Sequence, residues 1–233
     1  LATETGSDFS KAGSTSIISL LGINPKSRCI EIKQACYSAT AALQFSKNHL
    51  LVNPDKKVLV IASDISRYGL NTSGEATQGA GAVAMLITKD PSLLVLSDKN
   101  SYYSEDVWDF WRPSYSDTAI VDGHYSNEQY QRFFSQTFED YKDKYNKNNS
   151  DFDAFLFHIP YTKLGRKTLV NFVDPSEEVI ETFNQSTLFN RKVGNIYTGS
   201  LYLSLISLLY NADLAANSRI GLYSYGSGAV GEF

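Results

Sequence analysis

The sequence predicts an α/β protein. Apolar runs of strand type stand at residues 57–62, 79–87, 154–157 and 220–224. Segments with a one-sided apolar pattern at helical spacing lie between them. After Cys36 the order is junction, small-residue helix, polar linker, apolar strand, glycine-rich stretch, and the same order returns after Asn195. Such a return is expected of two related halves. Strands alternating with helices form a layered α/β core.

Composition sets the bounds. The chain has 233 residues, 42% hydrophobic and 20% charged, which fits one large domain or two small ones. A net charge of -4 with no basic tract argues against nucleic acid as partner. No apolar run reaches the roughly 20 residues of a membrane span, and the opening residues lack a signal-peptide pattern. Two cysteines, Cys29 and Cys36, are too few for a disulfide framework, so a reducing, cytoplasmic setting is expected. Leu1-Ala-Thr-Glu4 reads as the tail of a strand, and an element begins after Gly228. An internal segment cut at both ends is expected.

Taken in order, residues 1–10 form a polar loop carrying Glu4 and Asp8. Ile17, Ile18, Leu20 and Leu21 give residues 11–21 a helical apolar face, which Gly22 to Pro25 ends. Cys29, Ile30, Glu31 and Ile32 alternate as a strand, with Cys29 in its core. Cys36 follows, and Ser38, Ala39, Thr40, Ala41 and Ala42 open a helix to about Leu51, small enough to pack deep. The run at 57–62 reads as a parallel strand covered on both faces. Residues 79–87 read as a second buried strand, with glycines allowing close approach, and 92–96 as a third. Residues 99–150 turn aromatic and polar, with Trp108, Phe110, Trp111, His124 and Tyr130, and read as a partly helical insertion. The division expected is a first-half part over 1–98, the insertion, and a second-half part over 151–233. The strand at 154–157 delivers His158, and a basic helix starts near Lys163. Asp174-Pro-Ser-Glu-Glu has the capping residue and early acids of another helix start. A helix at 201–209 and a strand at 220–224 complete the chain.

Three residues stand at strand ends as candidates to converge: Glu4, Cys36 and His158. A helix N-terminus after Cys36 favours a thiolate, although a buried cysteine acting as a small hydrophobe gives the same pattern. A thiolate nucleophile needs a nearby base or cation, usually histidine, and a carboxylate in a dry pocket serves as general base. A core histidine and a surface acid are the plain alternatives for His158 and Glu4. Residues 226–231 fit G-x-G-x-x-G, but a dinucleotide site needs a helix and an acidic residue about 20 positions on, and the chain ends first. The same glycines suit a backbone oxyanion hole. Lys163, Arg166 and Lys167 lie at helical spacing, either as a solvated face or as a grip on ligand phosphates. His49 reads as structural and His124 is undecided. The three histidines show no metal-ligand spacing.

Longer motifs go further. Ala2-Thr-Glu4, Glu31-Ile-Lys-Gln-Ala-Cys36-Tyr37, Thr77-Gln-Gly-Ala-Gly-Ala-Val83, Asp109-Phe-Trp-Arg-Pro113, Phe157-His-Ile-Pro-Tyr161, Gly194-Asn-Ile-Tyr-Thr-Gly-Ser200 and Ser224-Tyr-Gly-Ser-Gly228 occur in that order. With them the chain resembles the bacterial 3-hydroxy-3-methylglutaryl-CoA synthases of the thiolase superfamily. The resemblance implies an αβαβα core of two related halves, without the family's N-terminal strands and its region beyond Phe233. It implies that Cys36 takes the acetyl group of acetyl-CoA as a thioester. Glu4 then removes a methyl proton, the enolate attacks acetoacetyl-CoA with help from His158, and water releases the product. It places Asn195 at the acetoacetyl group, the N–H groups of Cys36 and Ser227 at the oxyanion hole, and Lys163 and Lys167 near CoA phosphates. Asp64, Tyr68 and Asp109 match supporting positions. It further implies CoA thioesters as the partners, no cofactor or metal, a homodimer, and a place in the mevalonate route to isoprenoids. Two other readings fit: a polyketide β-branching homologue taking acetyl from a carrier protein, and a non-catalytic CoA-binding protein of thiolase fold.

Overall fold

The computed structural model describes residues 1–233. Helix α1 (Gly13–Leu21) starts two residues later than its pattern predicts and ends at Gly22, whose φ of 62° is left-handed. Its apolar face is only partly covered, with Ile17 and Ile18 half-buried and Leu20 and Leu21 exposed. Residues 29–32 do not form the predicted strand. The segment is extended, with Ile32 bridged to Ala2 and bonded to Leu1. Cys29 there is half-buried and Ile30 exposed, so Cys29 is not a core residue.

Helix α2 (Ser38–Val52) follows the Cys36 turn as expected. Strands β1 (Val58–Ile65) and β2 (Ala80–Ile87) pair antiparallel, with Val58 opposite Ile87 and Ile65 opposite Ala80. The parallel pairing expected of β1 is made instead with the chain start, where Ala2 bridges Ala62. Neither strand is covered on both faces. Val60, Ala62 and Asp64 point inward while Leu59 and Ile65 are exposed, and in β2 only Val83 is buried. The strand predicted at 92–96 is absent; Leu93, Val95 and Leu96 are exposed in an irregular stretch.

Residues 99–150 supply β3 (Tyr102–Ser104), a small hairpin of β4 (Phe110–Trp111) and β5 (Ile120–Val121), and the long helix α3 (Gly123–Tyr145), capped by the Asp122 side chain. Then come β6 (Ala154–Phe157), α4 (Thr162–Val173), α5 (Glu177–Ser186), the short α6 (Asn190–Val193), α7 (Ser200–Asn211), β7 (Ile220–Gly226) and β8 (Val230–Glu232). The second sheet has the order β3-β8-β7-β6, parallel between β6 and β7 and antiparallel elsewhere.

Alternation along β6 separates two cores. Phe155 and Phe157 join Phe133, Phe134 and Phe138 of α3, Tyr223, Leu164, Leu169, Phe183 and Phe233 in an aromatic cluster. Ala154 and Leu156 face the other way, onto Ala39, Ala42 and Leu43 of α2, Leu201 and Leu208 of α7, and Val60 and Ala62 of β1. Burying each such large apolar side chain contributes roughly 1.5–3 kcal/mol. The layers therefore run α3 with α4, the β3-β8-β7-β6 sheet, α2 with α7, and the β1-β2 sheet. The alanines of α2 let it lie between two sheets, which realises the deep packing that its small-residue start predicts. The repeat is realised as α2–β1–β2 and α7–β7–β8, each a central-layer helix followed by an antiparallel strand pair. The G-x-G-x-x-G stretch is the β7–β8 hairpin, so its glycines lead directly into a strand.

Candidate active site

Glu4 leaves the segment paired with β1 and is held by its backbone. Asp64 Oδ1 accepts from the N–H groups of Glu4 (2.9 Å) and Thr5 (3.0 Å) and from the hydroxyls of Thr3 (2.6 Å) and Thr5 (2.7 Å). Asp64 Oδ2 accepts from Thr198 N at 3.1 Å, in the 3-10 turn Tyr197–Gly199 that precedes α7. Asp64 thus ties the Glu4 loop to both central-layer motifs, and these bonds offset the burial that raises its own pKa.

Cys36 sits in a tight turn two residues ahead of α2. Ala35 takes a left-handed φ of 43°, a conformation that costs a non-glycine residue roughly 1 kcal/mol. Ser38 braces the turn, accepting from Gln34 N and donating to Ala35 O, both at 2.7 Å. Tyr37 donates to the buried Glu232 carboxylate at 2.6 Å, which Gln44 and Asn100 also reach. Gly226 lets β7 end against this turn, since a Cβ there would lie 2.5 Å from Gln34 O. Ser227 is held in the same place, its carbonyl accepting from Gln34 Nε2 at 3.4 Å. Asp109, fully buried, fixes that hairpin by accepting from Gly228 N (3.0 Å) and the Tyr225 hydroxyl (2.8 Å).

These anchors bring Cys36 and Glu4 into contact: the thiol donates to Glu4 Oε2 at 3.2 Å. Burial and then the Asp64 charge push the Glu4 carboxyl up to about 8, while the thiol hydrogen bond and Arg112 draw it down. Burial, and then the charge of Glu4, push the Cys36 thiol well above its usual value. The helix-terminal thiolate expected from sequence is therefore not the resting state. The α2 terminus is already engaged, with Ala39 N donating to Thr198 Oγ1 at 2.7 Å, and the thiol keeps its proton.

His158 extends the β6 ladder, its N–H donating to Tyr223 O at 2.8 Å. It continues the parity of Ala154 and Leu156 toward the α2–α7 layer. The neighbouring Ser224, on β7, accepts from Thr40 of α2 at 2.7 Å. His158 is 2% exposed, and its Nδ1 is sealed without a partner. Burial holds its pKa near 3, so the ring is neutral. No hydrogen bond joins it to Cys36 or Glu4, so the Cys–His pairing considered from sequence is a Cys–Glu pairing here. A stability signature follows. Between about pH 6.5 and 3 the unfolded chain takes up a proton at this histidine and the folded chain does not, so stability falls as pH falls. His158→Gln is expected to flatten that slope by up to about 1.4 kcal/mol per pH unit, read from urea unfolding at pH 6.5, 5 and 4.

Asn195 is oriented on both sides: Oδ1 accepts from Tyr197 N and Ser200 Oγ (2.9 Å each), and Nδ2 donates to the Tyr68 hydroxyl at 2.7 Å. Gly79 permits the close crossing beneath it, where a Cβ would meet Val193 O at 2.5 Å. The rings of Tyr68, Tyr197 and Phe110 meet edge to face at 5.8–6.2 Å and wall the site. Glu4, Thr5, Arg67, Phe110, Arg112, Ala119 and Tyr197 line a cavity of about 10 Å³, near the size of one water. Sequence reasoning assigned no role to Arg67, Phe110, Arg112 or Tyr197. Phe110, Arg112 and Tyr197 lie inside motifs already singled out, and that adjacency was the available signal. Lys163 and Lys167 are exposed on the first turns of α4 and carry no ion pair, whereas Arg166 bonds Asn184. His49 lies in the last turn of α2, and His124 is exposed at the start of α3.

Comparison with known proteins decides the family. The model described as hydroxymethylglutaryl-coenzyme A synthase N terminal matches residues 1–92, and that described as its C terminal matches residues 95–176 and 171–233. The chain belongs to the hydroxymethylglutaryl-CoA synthase family. It is 49% identical to the hydroxymethylglutaryl-CoA synthase of Enterococcus faecalis, covering 100% of this chain and 62% of that protein. A polyketide biosynthesis 3-hydroxy-3-methylglutaryl-ACP synthase of Bacillus subtilis is 33% identical, with 99% of this chain and 60% of that protein covered. A crystal structure of an HMG-CoA synthase complexed with CoA superposes with a TM-score of 0.97 at 48% identity, covering 99% of this chain and 61% of that one. The chain spans about three-fifths of the length of the relatives it matches. The thiolase-like layering is thus that of the family.

Proposed function

We propose that the protein condenses acetyl-CoA with acetoacetyl-CoA to give 3-hydroxy-3-methylglutaryl-CoA through an acetyl-Cys36 intermediate. The observation that carries the reading is the 3.2 Å contact between the Cys36 thiol and Glu4 Oε2 in a half-buried site of the family's fold. In the first step the Cys36 sulfur attacks the acetyl thioester carbonyl, and the Cys36 N–H and Ser227 N–H receive the developing oxyanion. The thiol proton passes by way of Glu4 to the departing CoA sulfur. Glu4 then takes a proton from the acetyl methyl, the enolate carbon bonds to the ketone carbon of acetoacetyl-CoA, and Glu4 returns its proton to the new alkoxide. Neutral His158 and Asn195 hydrogen-bond the acetoacetyl oxygens. Water finally cleaves the thioester to Cys36, freeing the carboxylate product and the thiol.

Asp64, Asp109 and Tyr68 act as supports, the carboxylates fixing the Glu4 loop and the 226–228 turn, and Tyr68 fixing Asn195. The reading carries with it a cytoplasmic homodimer serving the mevalonate route, without cofactor or metal. Identity of 49% to a CoA-type relative against 33% to a carrier-protein type favours CoA as acetyl donor. Mass spectrometry after exposure to acetyl-CoA, beside acetyl-carrier protein, tests both: a ~42 Da adduct on Cys36 is expected with the CoA thioester. No adduct from either donor returns the chain to a non-catalytic CoA-binding reading.

Lys163 and Lys167 grip the CoA phosphates in this reading. Lys163→Ala and Lys167→Ala are each expected to raise KM for a CoA thioester several-fold with a smaller change in kcat. Contacts far from the reacting carbon bind ground and transition states alike. A loss of kcat at constant KM in steady-state assays removes the lysines from that role.

A further inference from the structure

We propose that Arg112 is a positioning residue for condensation: it clips the Glu4 loop in place and supplies the positive charge that the Glu4 carboxylate faces once Cys36 is acetylated. The inference rests on reading Glu4 as the base for the acetyl methyl. Arg112 follows β4, whose hairpin is fixed at the site by Asp109 on the 226–228 turn and by Phe110 against Tyr68 and Tyr197. From there its Nη2 donates to the Glu4 carbonyl at 2.8 Å. Arg112 is exposed and forms no ion pair with any Asp or Glu, so its charge is not neutralised elsewhere. It lines the small cavity beside Glu4.

The charges around Glu4 make this position matter. Asp64 of β1 lies behind the Glu4 backbone and its charge opposes a second carboxylate. Arg67 and Tyr68 follow β1, Tyr197 comes from the turn before α7, Cys36 from the turn before α2, and Arg112 from the β4 end. Two groups draw the Glu4 pKa back down, the Cys36 thiol and Arg112. Acetylation replaces the thiol proton with an acyl group, so that hydrogen bond is lost when Glu4 must act as a carboxylate. Arg112 is the counter-charge that persists through condensation.

The test is single-turnover condensation of acetyl-enzyme with acetoacetyl-CoA, on the full chain, from pH 6 to 10. Arg112→Met removes the charge, so Glu4 titrates at higher pH. Its rate is expected to fall roughly threefold to tenfold at pH 7, the lower part of the range for a neighbouring charge because Arg112 is exposed. The deficit should shrink as pH rises past the Glu4 titration, and Arg112→Lys should regain part of the acid-side rate. A Met variant whose profile overlays the parent, or whose loss is the same at every pH, overturns the proposal. Glu4→Gln run alongside separates the two readings. If it condenses normally, the role of Glu4 as base falls; if it is inactive while Arg112→Met overlays the parent, only the Arg112 inference falls.

Discussion

Cys36→Ser protein exposed to acetyl-CoA is expected to gain no acetyl group and to make no condensation product, a loss beyond the detection limit of either assay. The thiol of Cys36 is already raised by burial and by Glu4. A serine hydroxyl at the same place is far harder to ionise and has only Glu4 to take its proton. His158 offers no substitute, since burial makes its ring a poor proton acceptor and it makes no hydrogen bond to Cys36. Cys29→Ser is the control. Cys29 lies half-buried in the extended segment before the Cys36 turn and should acetylate like the parent. Intact-mass measurement after a brief pulse of acetyl-CoA reads both variants. An adduct on the Cys36 variant and none on the Cys29 variant would reverse the assignment.

What the sequence made legible were local events. The small residues after Cys36 predict a helix able to pack deep in a core, and α2 lies between the two sheets. The strand at 154–157 and the helix start at Ser176 were visible because alternation, capping and early acids are short-range signals. The partners of strands were not legible. The apolar run at 57–62 looks parallel and doubly covered, yet its ladder partner is the glycine-opened β2, running antiparallel, its parallel contact is a single bridge to Ala2, and its outer face is only partly covered. Pairing is decided by segments far away in sequence, and hydropathy does not encode direction. Leu93, Val95 and Leu96 fail as a strand for the same reason: no sheet edge receives them.

The site divides in the same way. Cys36, His158 and Asn195 were recognisable from their places at element ends. Glu4 read alone looks like a surface acid. It becomes a half-buried partner of Cys36 only because Asp64, sixty residues away, gathers its loop with four hydrogen bonds from residues 3–5. The thiolate expected of a helix terminus failed because that argument weighed one dipole, worth roughly 0.3–1 kcal/mol when exposed. Burial and the neighbouring carboxylates act the other way and raise the thiol pKa at this site.

Glu4→Gln is expected to separate the two chemical steps. Acetyl transfer needs sulfur nucleophilicity and an oxyanion hole. Glutamine cannot take the thiol proton, but it also removes the charge that raises the thiol pKa. These effects oppose each other, so acetyl-Cys36 should still form. Condensation has no such compensation. The thioester methyl is a weak carbon acid, and general base catalysis is typically worth roughly 10²–10⁴-fold. Product formation should fall by at least that order while the mass adduct persists. The same substitution should show in stability, with a worked sign. Folding raises the Glu4 pKa from 4.5 to about 8, so the folded protein holds this proton more tightly, and the stability it contributes is lost as pH rises through 8. Glutamine carries no such loss. The variant should therefore be little changed at pH 5 and more stable than the parent at pH 9, by at least about 1 kcal/mol after allowing for residual solvent access. Thermal unfolding at the two pH values reads this beside the acetylation and condensation assays. A variant that condenses at the parent rate would make Glu4 a bystander. One that cannot acetylate would show that the first step cannot proceed without Glu4, whether to relay the thiol proton or to organise the pocket around Cys36. One no more stable at pH 9 would show that its carboxyl is not strained by burial.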